Sequence, residues 1–121
     1  MNLLKRNAMI HKLLFLVICC QLPLYAKIIL SDQGKTDHSI VLSSSATDME
    51  KFAAAELSAY LEKITGATYD IADTPGKHSI FIGSDAASKG SLPLSDLGIE
   101  GYLIAEQGQN LYLSGKTTYF V

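Results

Sequence analysis

Serines, histidines and carboxylates are the side chains in this sequence from which chemistry could be built, and their spacing supplies no complete set. Beyond His11 the chain has two histidines, His38 and His78, and each stands directly before a serine, as His38-Ser39 and His78-Ser79. A nucleophilic triad needs a base within reach of its hydroxyl, but neighbours on a strand point to opposite faces. Neither pair is therefore a catalytic dyad, and both histidines are expected as exposed loop residues just ahead of strands. Metal binding fares no better: Asp32 and Asp37 flank only His38, and no HExxH or paired Cys/His spacing occurs. The twelve acidic residues admit a glycosidase carboxylate pair by number alone. By position, Glu50, Glu56 and Glu62 fall on the solvent face of a helix, Asp32 and Asp73 in turns, and Asp96 and Glu100 in a loop. No catalytic, cofactor-binding or metal-ligating residue is assigned, and no cofactor is expected.

Gly83-Ser84-Asp85 follows the strongest apolar run, where ligands sit in open α/β sheets. No GxGxxG, GxxxxGK[ST] or GxSxG surrounds it, and one Ser-Asp pair after a strand reads first as a turn or a helix cap. Tyr60, Tyr69, Tyr102 and Tyr112 could stack on sugar rings, but Tyr60 lies on an apolar helix stripe and the others alternate in strands, which favours packing.

The element that must position these groups is Thr47–Gly66, TDMEKFAAAELSAYLEKITG. Thr47 with Glu50 three residues on has the spacing of a capping box, and Gly66 ends the helix. Ala53, Leu57, Tyr60, Leu61 and Ile64 recur at helical steps, so one stripe is expected to face a sheet while Lys51, Glu56, Glu62 and Lys63 stay in water.

Strands are expected at Lys27–Leu30, Ser39–Leu42, Thr68–Ile71, Ser79–Ile82, Glu100–Ala105 and Asn110–Ser114. Ile80-Phe81-Ile82 has the continuous apolar character of a strand covered on both faces. Pro75-Gly76 marks a turn, and Ser84–Gly98 reads as a long loop with one helical turn. Gly108 suits a hairpin connection. The order predicts an α+β fold, a mixed sheet with one main helix packed on one face and no second covering helix. The uncovered face is then expected to be bare and apolar.

Residues 1–26 read as a signal peptide: Lys5, Arg6 and Lys12, then the apolar run Leu13–Cys20, then a cleavage point after Ala26. The run is shorter than the ~20 residues of a membrane-spanning helix, so an exported chain without a membrane anchor is expected. Both cysteines, Cys19 and Cys20, lie inside it. Of ten basic residues three fall there and none of the twelve acidic ones, so residues 27–121 carry seven against twelve, a balance of −5. That balance argues against a nucleic-acid partner, because affinity there rests on cations that neutralise phosphates.

The block Glu50–Ala67, with its Lys63-Ile64-Thr65-Gly66-Ala67 ending, resembles the helix of the N-terminal accessory domain found ahead of the barrel in α-glucuronidases, and similar domains precede the barrels of β-N-acetylhexosaminidases. Ile80-Phe81-Ile82-Gly83, Gly101-Tyr102-Leu103-Ile104 and Leu111-Tyr112-Leu113-Ser114-Gly115 match that domain's later strands in order and spacing, so the resemblance covers residues 27–121. It implies a non-catalytic domain whose partner is a downstream catalytic barrel, because the family's carboxylates lie in that barrel, and it carries no catalytic residue onto any position here. It also implies a second helix and a last strand past the hairpin. Lys116–Val121 reads as the start of that passage, with Tyr119 its first core residue, and the expectation is a truncated domain. A free-standing carbohydrate-binding or surface interaction module is the alternative.

Overall fold

The computed structural model describes residues 27–115 together with residues 5–7 and 9. The Leu13–Cys20 run, the Ala26 cleavage point and the Lys116–Val121 passage lie outside the described residues. In chain order the elements are β1 (His38–Val41), α1 (Asp48–Thr65), β2 (Ile71–Ala72), β3 (His78–Ile82), α2 (Ser84–Lys89), β4 (Tyr102–Gln107) and β5 (Asn110–Gly115). They form one mixed sheet of order β2-β1-β3-β5-β4, parallel throughout except for the β4–β5 hairpin. The fold is α+β with one main helix.

α1 forms where its local signals place it. The Thr47 hydroxyl accepts the Glu50 amide at 3.2 Å and the Glu50 carboxylate accepts the Thr47 amide at 2.7 Å, completing the capping box. At the other end Gly66, at φ 73°, donates its amide to the Glu62 carbonyl at 2.8 Å, a left-handed cap that costs glycine nothing.

The buried stripe differs in phase from the expected one. Ala54 is fully buried and Leu57 and Leu61 pack beside it, whereas Tyr60 and Ile64 are 56% and 78% exposed. The helix is rolled so that small and polar positions also face inward: Ser58 donates to the Tyr69 carbonyl at 2.8 Å. Hydropathy spacing cannot register such a contact.

Two layers of core follow from the in-register parallel strands, because successive residues alternate in face. Ile40 and Ile80, with Leu111 beside them, face α1 with Leu42, Ala67 and Tyr69. Val41, Phe81 and Tyr112 form the opposite row, Phe81 stacked on Tyr112 at 4.9 Å between centroids. This second face is not bare. Leu92 packs on it, the Lys89 ammonium stands 5.6 Å from the Phe81 ring, and its three core residues are at most 6% exposed. The short α2 is the helical turn expected within 84–98, and the irregular segment after it covers this face.

Lys27–Leu30 is not a strand. The Leu30 carbonyl is taken by side chains, the Thr36 hydroxyl at 2.6 Å and the Tyr69 hydroxyl at 3.0 Å, rather than by a ladder. Asp32 and Lys35 then close a two-residue turn through paired amide–carbonyl bonds of 2.9 Å, with Gln33 and Gly34 both at positive φ as a type I′ turn requires. Of the run expected at Thr68–Ile71, only Ile71 pairs in the sheet, joined by Ala72.

Candidate functional site

The carboxyl ends of β1 and β3 meet the first turn of α1, and their polar groups are spent on one another. Glu50 bridges the two sides: one oxygen serves the capping box, and the other accepts the Ser84 amide at 3.0 Å. Gly83 lies under this carboxylate at φ 102°, so a side chain there would meet both strained backbone and the Glu50 head group. Partial burial pushes the Glu50 carboxyl up, but the amides of Thr47 and Ser84 and the Thr47 hydroxyl outweigh it and leave its pKa lowered. Beside it the Asp85 carboxylate accepts from the Ser45 hydroxyl at 3.2 Å, and Ser43 and Ser45 lie 2.9 Å apart. Ser43, then Ser45, and more weakly Lys89 hold the Asp85 carboxyl below its ordinary range. The Gly83-Ser84-Asp85 candidate is thus a junction between two helix starts. The capping box already pointed at Glu50, but its second partner, Ser84, stands thirty-four places along the chain, and the Ser45–Asp85 contact spans forty, so neither leaves a local mark.

The two histidines are not exposed loop residues. His38 opens β1, His78 opens β3, and the parallel register sets them side by side, with ring centroids 5.2 Å apart. His38 is 5% exposed, and its Nε2 hydrogen-bonds the Gln109 carbonyl at 2.8 Å. Burial is decided by the β4–β5 turn, seventy-one positions away, which no local pattern reports. Asp37 stands nearby; its hydrogen bond to Lys77, the Lys77 charge and the two imidazoles lower its pKa. Neither the Ser39 nor the Ser79 hydroxyl is bonded to an imidazole, in keeping with the opposite faces of adjacent strand residues. Among the described residues no group of three His, Cys, Asp or Glu side chains gathers to hold a metal ion. No helix among them is long and apolar enough to cross a membrane.

No family model, no curated protein and no solved structure matches this chain.

Among the described residues two depressions stand out. One, of about 470 Å³, lies at the amino ends of the central strands and has a mixed lining, Asp32, Thr36, Asp37 and Gln109 beside Ile29 and Leu30. The other, of about 400 Å³, runs between α1 and the β4–β5 hairpin and is apolar, with Met49, Ala53, Ile82, Tyr102, Ile104 and Leu113 on its walls. Of the tyrosines, Tyr69 and Tyr112 are core, while Tyr60 and Tyr102 are exposed.

Proposed function

We propose that this chain is a non-catalytic accessory domain of an exported glycan-degrading enzyme, α-glucuronidase-like, which packs beside a catalytic barrel and borders its cleft. The observation that carries the non-catalytic reading is the Glu50–Ser84 junction. An open sheet offers the carboxyl ends of its strands to ligands, and here those ends carry groups turned on each other as caps and ties. Support for the family comes from the residues of the Glu50–Ala67 block and from the order of the later strands. Export rests on the Lys5-Arg6, Leu13–Cys20 and Ala26 pattern.

The purified chain is expected to release no chromophore from aryl α-glucuronides or aryl β-N-acetylglucosaminides. Dose-dependent release would sink the non-catalytic reading.

The depression lined by Asp32, Asp37 and Gln109 favours a second reading, a free-standing carbohydrate-binding module, since a few polar groups in a pocket can orient a ligand such as a sugar. Calorimetry against glucuronoxylan and chitin oligosaccharides separates the two. Saturable heat, lost on Asp37→Ala, supports the module; no heat supports the accessory domain.

A further inference from the structure

We propose that β4 is a dimerisation edge, through which two copies of this chain join their sheets across a twofold axis at Ile104. The hairpin geometry sets which backbone groups are free. Gly108 at positive φ and Gln109 at negative φ make a two-residue turn of the II′ sign pattern, closing on the pair Gln107 and Asn110. In such a hairpin the closing pair exchanges hydrogen bonds, and alternate pairs repeat this along the ladder. Gln107, Ala105 and Leu103 therefore turn their amides and carbonyls to β5, and Tyr102, Ile104 and Glu106 turn theirs outward. Among the described residues β4 is the last strand of the sheet.

An outward row of this kind is a template for another strand, and sheets ordinarily blunt it with lysine, proline or a bulge. β4 reads Tyr-Leu-Ile-Ala-Glu-Gln and has none of these; its one charged side chain is Glu106, next to the hairpin turn. Its register with β5 is unbroken from Tyr102 to Gln107. The side chains at the outward positions lie on the α1 face, where Tyr102 is 74% and Ile104 64% exposed.

The strand is complementary to itself in one antiparallel register. Pairing Ile104 with the second copy's Ile104 sets Tyr102 against Glu106 and Glu106 against Tyr102. All three opposed pairs then have outward backbone groups on both sides and exchange hydrogen bonds. On the other face Leu103 falls opposite Ala105, apolar on apolar. The charges agree as well: Glu106 meets a phenol rather than the other Glu106, which a register slipped by four would impose. The axis stands perpendicular to the sheet, so both α1 helices lie on one face and the apolar walls at Tyr102 and Ile104 become continuous.

The test is sedimentation equilibrium of the full chain over a concentration series reaching the hundreds of micromolar. A reversible monomer–dimer equilibrium is expected. Ile104→Pro removes an amide that points away from β5, so the hairpin ladder keeps its bonds, and the dimer is expected to weaken at least tenfold. Ile104→Lys, at a site already exposed, sets like charges against each other on the axis and is expected to act the same way with an unchanged far-ultraviolet circular dichroism spectrum. It decides the matter where the proline variant is unfolded. A wild type that stays monomeric throughout overturns the proposal and leaves the edge to a strand of another protein. So does a dimer that persists undiminished in folded Ile104→Lys.

Discussion

The Glu50 carboxylate accepts the backbone amide of Ser84 across 3.0 Å, thirty-four residues along the chain, while its other oxygen caps its own helix. One side chain thereby ties the start of α1 to the end of β3. Glu50→Ala is expected to destabilise the chain by about 1–2 kcal/mol, from a lost cap and a lost tertiary bond. Its folded pKa is lowered, so this stabilisation is present above the ordinary value of 4.5 and is lost as pH falls through the folded value. Urea midpoints of wild type and Glu50→Gln should differ at pH 6 and converge as pH falls through the lowered folded value, below which both side chains are neutral. A gap of constant size would show that the charge of Glu50 does not contribute.

Gly83 beneath that carboxylate combines a φ of 102° with no room for a Cβ. Gly83→Ala is expected to cost more than about 1 kcal/mol. The double variant Gly83→Ala/Glu50→Ala should be more stable than the sum of the single effects, because truncating Glu50 removes the collision and leaves only the backbone strain. Strict additivity in denaturant titrations would contradict the contact.

His38 and His78 begin equivalent strands, yet only His38 is sealed in. His38→Ala should lose about 2–4 kcal/mol, from an emptied site and a broken bond to the Gln109 carbonyl, while His78→Ala, half-buried, should lose less than half as much. Thermal unfolding of the two variants side by side checks this, and equal losses would overturn the asymmetry.

The roll of α1 is tested by a pair of substitutions. Ile64→Ser, at a 78% exposed position, is expected to change stability by no more than about 0.5 kcal/mol. Leu61→Ala, packed on the core that holds Ile40 and Tyr69, should cost about 2 kcal/mol. The reverse order would restore the stripe that hydropathy alone suggests.

These cases also separate what could be read along the chain from what could not. The ends of α1 were legible because a capping box and a left-handed glycine are written within four residues of the bonds they make. β3 and the hairpin were legible because their periods are local. The burial of His38 was not, since it depends on register with β3 and on a turn far down the chain. Nor was the roll of α1, because Ser58 earns its inward place through one hydrogen bond to Tyr69. The missing strand at Lys27–Leu30 has the same cause: β-favouring residues there give their Leu30 carbonyl to two side-chain hydroxyls instead. For the site, sequence reasoning set Glu50 in the capping box on the solvent face of its helix and Ser84 in a turn or a helix cap, and only the fold joins them.

Hydrolysis assays on the purified chain are the direct test of the proposal that it holds no active site of its own. Incubated with aryl α-glucuronides and aryl β-N-acetylglucosaminides, it should release chromophore no faster than buffer at any protein concentration. Release that rises in proportion to the chain added, and that survives repurification, would contradict it.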